Sequence, residues 1–516
     1  MKNLKSRCTA GDLVTGVLFA VVLTPAYAAT TCESLSSLAL PQTTITLAQS
    51  VAAGAFTVPA TGRGGRGGDP NAAFKDIPAF CRVAATMKPS SDSDIKFEIW
   101  MPAAGWNGKF EANGNGGWTG SITPATLATG LQRGYAAAMT DLGHDGGSAS
   151  FALGHPEKLI DWGYRAEHET AVKSKLIIAA FYGDGPKLSY FNGCSAGGRS
   201  ALKEAQRYPD DFNGIVAGSP GINWTGRSEQ AVWIAQANHK DDASTIPAAK
   251  FPAIHAAALE ACDAADGVKD GIIEDPTRCK FDPQVLECKG PDGPACLTTP
   301  QVETARRIYS AVTNPRTKQE IFPGHEPGSE LGWNTMVGPQ PFGLGTELFK
   351  FVVFKDPNWD YRTFNFDTDT ALTLKADDGV MNALDPNLKA FIARGGKMVQ
   401  YHGWSDPQIS PLTSVEYYNT VLDTLGGASK VADSYRLFMV PGMAHCGGGE
   451  GTSNFDMLTA VEQWVETKKA PDQIPASRVR DGKVDRTRPL CPYPQLAKYK
   501  GAGSIDDAAN FSCKLP

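Results

Sequence analysis

"YFNGCSAGGRS", residues 190–200, sets Gly193, Ser195 and Gly197 at the G-x-S-x-G spacing of a nucleophile turn, where a serine rides a sharp bend between a strand and a helix. The spacing alone is weak, so its context decides the reading. The apolar run "KLSYFNG" leads into it, and "AGGRSALKEAQRYP" follows as a helix that should end at Pro209. "FNGIVAGSP" then reads as the next buried strand. Strand, turn, helix and strand predict an α/β domain on a mostly parallel sheet.

Outward from this centre the same texture begins near residue 95, with "IKFEIWMP", "GKFEANG", "YAAAMTD" and an amphipathic helix near 166–181. It breaks from about 223 to 385, where four cysteines, acidic turns, many prolines and the aromatic tract "FKFVVFKDPNWDYRTFNFD" (349–367) occur. It returns with "GKMVQYHG" at 396–403 and "YRLFMVPG" at 435–442. The expectation is an α/β-hydrolase fold formed by residues 29–222 and 386–516, with 223–385 inserted as a lid domain. A chain of 516 residues is long enough for one core with such an insertion. The glycine-rich stretch "TGRGGRGGDPN" at 61–71 follows no apolar strand and reads as a loop, not a phosphate cradle.

Lys2, Lys5 and Arg7, the apolar run at 13–23 and Ala26-Tyr27-Ala28 predict a secretory signal peptide over residues 1–28. Its removal would shift the net charge from −6 to about −8, which argues against a nucleic-acid partner. No other stretch is long and apolar enough to span a bilayer, so no membrane association is expected once the signal is cleaved. Cys8 would leave with the signal, and the remaining ten cysteines, an even number in an exported chain, argue for disulfides.

A serine hydroxyl needs a histidine to take its proton and a carboxylate to orient that histidine. In this fold the acid and then the histidine follow the serine, each on a loop beyond a late strand. Asp406 in "YHGWSDPQIS" and His445 in "VPGMAHCGGG" meet that order. His402 is a rival that precedes the acid and is expected to support its turn. Cys194 precedes Ser195 and Cys446 follows His445. A bond between these two sulfurs would silence both thiols and tie the nucleophile turn to the histidine loop, whereas the alternative leaves two free cysteines. In "CDAADGVKDGIIEDPTRC" (262–279), Asp263, Asp266 and Asp270, with the carbonyls of Val268 and Ile272, would suit calcium, or form only an acidic surface turn.

With "GCSAGG", "HGWSDP", "PGMAHC" and "WNGKFEANGNGGW" (106–118), the chain resembles the tannase and feruloyl esterase family of α/β hydrolases, which includes the hydrolase of mono(2-hydroxyethyl) terephthalate. The resemblance implies an esterase with Ser195 as nucleophile, His445 as general base and then acid, and Asp406 as its orienter. It implies an oxyanion hole from the N–H of Ala196 and one from "NGNGGW", Gly117 being the best match. Calcium as a structural ion on the loop at 263–272, set in the lid away from the triad, follows from the same resemblance. Family spacing together with local closeness implies the pairs Cys32–Cys81, Cys194–Cys446, Cys262–Cys279, Cys288–Cys296 and Cys491–Cys513. The expected substrates are small esters of aromatic acids, of feruloyl or galloyl type. The terephthalate monoester is the alternative, mildly disfavoured because Ile409 is aliphatic where that relative carries an aromatic. Most of the rings in the tract at 349–367 (Phe349, Phe351, Phe354, Trp359 and Tyr361) are expected to form the lid's own core, and a minority facing the serine would suffice to supply the preference. A hydrolase-fold binding protein without turnover is the reading from another class. The sequence does not indicate an oligomeric state.

Overall fold

The computed structural model describes residues 30–58 and 71–516. The expected signal peptide and nearly all of the glycine-rich stretch at 61–71 lie outside the described residues. Nine strands form the main sheet: β1 (Thr43–Val51), β2 (Phe80–Met87), β3 (Ile95–Pro102), β4 (Lys109–Asn113), β5 (Ala136–Thr140), β6 (Leu188–Cys194), β7 (Gly214–Gly218), β8 (Lys397–Gly403) and β9 (Tyr435–Val440). Their order is β1-β2-β3-β5-β4-β6-β7-β8-β9. Pairing is antiparallel from β1 through β3 to β5 and parallel from β5 to β9.

The central strands carry the sequence signature of a sheet covered on both faces. Every residue of "AAAMT" in β5, "GIVAG" in β7 and "KMVQYHG" in β8 is buried, which period-two amphipathic strands could not achieve. Helices Ala166–Tyr182 and Ala196–Arg207 connect and cover them. The chain therefore has the α/β-hydrolase fold, and its parallel strands deliver their carboxyl ends to one edge, where such sheets place their chemistry.

The run between β7 and β8 adds no strand to this sheet. It holds the largely buried helix Trp224–Asn238, helices Phe251–Cys262 and Thr299–Tyr309, and many short turns. Arg199 fastens it down: its buried guanidinium donates to the carbonyls of Gly163 and Trp162 on one side and of Met381 on the other, with Trp162 stacked at 4.0 Å. Beyond the sheet, the hairpin Ile474–Arg480 with Lys483–Leu490 closes the C-terminal part. All five expected cysteine pairs are joined. Among the described residues no helix is long and apolar enough to cross a membrane.

Candidate active site

Ser195 directly follows β6 and adopts φ 63° and ψ −121°, a conformation that side chains other than glycine seldom take. The two glycines of the motif are what that bend demands. A Cβ on Gly193 would lie 2.4 Å from the Gly197 carbonyl oxygen, and one on Gly197 would lie 3.0 Å from that of Asn115. Ser195 thus sits half-buried at the N-terminus of helix Ala196–Arg207, where the first-turn N–H groups, Ala196 among them, have no partner within the helix. The loop after β4 lies against this same turn, since a Cβ on Gly114 would come within 2.6 Å of Gly197 Cα. Gly117 of that loop has φ 57°, and a Cβ there would strike Leu344, whose carbonyl accepts from Trp118 Nε1 at 2.9 Å. The segments that carry Ala196 and Gly117 thus meet at Gly197 and Gly114.

Asp406 lies three residues past β8 and is fully buried. Its Oδ1 accepts from the backbone N–H of Gln408 (2.8 Å) and Ile409 (3.1 Å). Its Oδ2 lies 2.6 Å from His445 Nδ1 and 3.1 Å from His402 Nε2. Burial pushes this carboxyl up, but His445 and His402 together outweigh burial and hold it well below the usual carboxylate range. An ionised Asp406 accepts from both rings, which fixes His445 with its proton on Nδ1 and leaves Nε2 unprotonated. His402, fully buried and 2.7 Å from Ser414 Oγ through Nδ1, supports the acid as expected.

His445 follows β9 by five residues and keeps a small accessible face, 11% of its side chain. The disulfide Cys194–Cys446 joins the residue before Ser195 to the residue after His445, with Cα atoms 6.0 Å apart. Two features near Asp406 gave no signal in the sequence because their closeness is purely tertiary. Buried His325 beside it is held at about pKa 4 by burial, and buried Arg227 is lowered to about 10 by burial.

The aromatic tract packs largely as expected. Phe349 packs on Trp359 (5.1 Å between centroids) and Phe364 (4.7 Å), and Phe354 stacks on Trp359 at 5.2 Å, so these rings form a core of the inserted run itself. Adjoining apolar surface is simply worth more to clustered rings than exposure in a cleft. The side chains gathered by the nucleophile turn are others. Gly221 donates to the Ser195 carbonyl (3.1 Å), and a Cβ on Gly221 would meet the Trp224 ring at 3.0 Å and Ile409 at 3.7 Å.

The acidic loop sits elsewhere than expected. It is not remote: a Cβ on Gly442, in the histidine's loop, would lie 2.6 Å from Ile272 Cδ1. Asp263 accepts from the N–H of Asp270 (3.1 Å) and Gly271 (2.9 Å), and Asp266 from that of Val268 (2.9 Å). Asp270 pairs with Arg488 and, at 3.4 Å, with Arg486. Burial, and then mutual repulsion within the group, raises the carboxyls of Asp266 and of Glu274, the latter to about 7. The loop gathers acids that repel one another, although their oxygens do not converge on one point.

Residues 81–514 match the family model described as "Tannase and feruloyl esterase". An uncharacterized esterase of Xanthomonas campestris pv. campestris is 41% identical, covering 95% of this chain and 92% of that protein. A probable feruloyl esterase B-1 of Aspergillus fumigatus is 34% identical over 84% of this chain and 85% of its own. The crystal structure of feruloyl esterase B from Aspergillus oryzae superposes with a TM-score of 0.87 at 31% identity, over 94% of this chain and 99% of that one. Tannin acyl hydrolase from Aspergillus niger shares the fold, with a TM-score of 0.78 at 21% identity over 93% of each chain.

Proposed function

Since the chain belongs to the tannase and feruloyl esterase family of carboxylic ester hydrolases, we propose that it is an exported serine esterase that cleaves esters of aromatic acids through an acyl-enzyme. The observation that carries this reading is the 2.6 Å contact of Asp406 with His445 on a loop that a disulfide ties to the serine's own turn. Ser195 Oγ attacks the ester carbonyl carbon while its proton passes to His445 Nε2. The oxyanion is met by the N–H groups of Ala196 and Gly117. The carbon–oxygen bond to the alcohol breaks as His445 returns the proton to the leaving oxygen. Water, deprotonated by His445, then attacks the acyl-enzyme, and Ser195 recovers its proton as the carboxylic acid departs.

The acyl group is assigned to the side of the nucleophile turn on which Trp224 and Ile409, each 1% exposed, form the packed wall. An acyl ring stacked on an aromatic wall gains about 1 kcal/mol over an aliphatic group of similar area, enough for a several-fold rate bias. Calcium is proposed as a structural ion held by Asp263, Asp266 and Asp270 with the carbonyls of Val268 and Ile272, a proposal supported by the number of hard oxygen donors this short loop carries. Residues 223–385 are proposed as the lid over a hydrolase domain formed by 29–222 and 386–516, and 1–28 as a signal peptide. Five disulfides favour export.

The test is a panel of methyl ferulate, methyl gallate and methyl butyrate, with fluorophosphonate labelling of wild type and Ser195→Ala. Preference for an aromatic ester, with label on Ser195 alone, supports the reading. Preference for butyrate makes the chain a general carboxylesterase, and unlabelled Ser195 removes the serine mechanism.

A further inference from the structure

The far end of the helix that Ser195 opens carries a second cluster of chemistry-bearing side chains. Glu204, about 13 Å along helix Ala196–Arg207 from the serine, meets His168 of helix Ala166–Tyr182 and Asp211 of the turn before β7. Each offers one ligand atom, and the three atoms lie within 4.8 Å of one another. His168 Nδ1 is 2.6 Å from Asp211 Oδ2, and its ring lies flat on that of Tyr208, with centroids 3.8 Å apart. The Tyr208 N–H donates to the Glu204 carbonyl (2.9 Å) and the Asp211 N–H to the Tyr208 carbonyl (3.0 Å), so one braced turn presents both carboxylates and the platform for the imidazole.

Glu204 is the member that protein contacts leave unexplained. It is 1% exposed, yet neither Oε1 nor Oε2 has a hydrogen-bond partner among the described residues. Buried carboxylates normally accept from donors, whereas this one confronts the carboxylate of Asp211. Burial, and then the charge of Asp211, push the Glu204 carboxyl up. Lys175 offsets this only weakly, since its ammonium donates to the main-chain carbonyl of Asp211 and stands 3.9 Å from Asp211 Oδ1, the oxygen that does not meet His168.

We infer that His168, Glu204 and Asp211 form a site for a first-row divalent transition-metal ion, with zinc as the species to test. An imidazole beside two carboxylates suits such an ion, whereas calcium and magnesium favour sets of oxygen alone. Zinc held tetrahedrally at about 2.1 Å sets its ligand atoms about 3.4 Å apart and leaves the fourth position to water. Side-chain shifts of about 1 Å bring the cluster to that spacing. The His168 side chain is 27% exposed and opens the site to an ion from solvent, while Glu204 closes it on the core side. The ion would fasten helix Ala166–Tyr182 to the nucleophile's helix at the end remote from Ser195, so its role is structural and independent of the esterase reading. The comparable grouping of Cys288, Asp292 and Cys296 has both sulfurs in a disulfide and offers no thiolate.

The experiment strips the protein with chelator, returns it to excess calcium to keep zinc off the acidic loop at 263–272, and titrates zinc by calorimetry and by melting. One zinc per chain should bind and raise the melting temperature, because an ion held only by the folded form shifts the equilibrium toward it. X-ray absorption at the zinc edge should show one imidazole nitrogen and otherwise oxygen neighbours at about 2.0–2.2 Å. Loss of a group that merely orients a ligand costs about 10–100-fold in affinity, so His168→Gln and Glu204→Gln, each losing a ligand, should weaken binding by about 100-fold or more and abolish the melting shift. Asp266→Ala, in the acidic loop, should bind zinc as wild type does. His168→Gln, at a part-exposed position, keeps the comparison decisive should the buried Glu204→Gln fail to fold. Zinc that binds wild type and His168→Gln alike, sulfur among its neighbours, or a wild type that takes up no zinc would overturn the assignment, and the last result would mean that Glu204 and Asp211 share a proton instead.

Discussion

Cys194 and Cys446, 252 residues apart in sequence, are bonded to each other, and each directly adjoins one of the proposed reacting residues: Ser195 follows the first and His445 precedes the second. In a chain-entropy account, closing so long a loop removes about 5 kcal/mol of unfolded-state freedom. Its larger effect should be local, because it is the covalent link between the strained turn of Ser195 and the glycine-rich loop of His445. Changing both cysteines to alanine should lower the melting temperature, and should lower kcat more than it raises KM, by about 10²-fold for a displacement near 1 Å. Steady-state kinetics decide the matter, and an unchanged kcat would remove the tether from the mechanism.

Asp406 Oδ2 is shared by two histidines, and only one of them can be the base. Asp406→Asn should cut kcat about 10⁴-fold with the fold retained, because an amide no longer selects the Nδ1 proton of His445. His445→Ala should abolish fluorophosphonate labelling of Ser195. His402→Gln, which loses a support for the acid but leaves the reacting atoms in place, should cost far less. If His402→Gln and His445→Ala proved equally inactive, the roles assigned to the two rings would be wrong.

The acidic loop makes a prediction about stability and about the site together, since Ile272 bears on Gly442 of the histidine's loop. Purified protein should carry one calcium per chain by elemental analysis, and chelator should lower its melting temperature, because an ion bound only by the folded form shifts the equilibrium toward it. Asp266→Ala should melt lower and should no longer respond to chelator. A protein free of metal, or a variant that melts like wild type, would leave the loop as an acidic turn braced by Arg486 and Arg488.

The triad was legible because each member follows an apolar run that can only be a buried strand, and because Gly193 and Gly197 announce the bend between strand and helix. Strand ends fell within a residue or two of expectation, as for β3 at Ile95–Pro102. The inserted run was not legible in the same way. Its consequences are long-range: Leu344 over Gly117, Ile272 against Gly442, Met381 receiving Arg199. No periodicity encodes such meetings. The tract at 349–367 was legible as a core of the inserted run, since clustered rings bury one another, but which elements that core would meet was not.

Glu167 offers a test of the core that no reading of the sequence suggested. It lies in the first turn of helix Ala166–Tyr182, 1% exposed, with Oε1 unpartnered and only the charge of Arg199 in its favour. Burial raises its carboxyl from the ordinary 4.5 to about 8, and Arg199 offsets this only in part. The folded chain therefore binds this proton more tightly than the unfolded one, so its contribution to stability is full below about pH 4.5, declines as pH rises and is gone above about pH 8. The slope for one such group is at most about 1.4 kcal/mol per pH unit. Glu204, also buried and raised by burial, acts in the same sense, so the difference between variant and parent isolates Glu167. Glu167→Gln keeps the shape and removes the titration. Melting curves of the two proteins should coincide near the acid end of this window and diverge toward its alkaline end, with the variant the more stable there. Curves that run parallel from about pH 5 to about pH 8 would mean that Glu167 is ionised in the fold and that Arg199 compensates it after all.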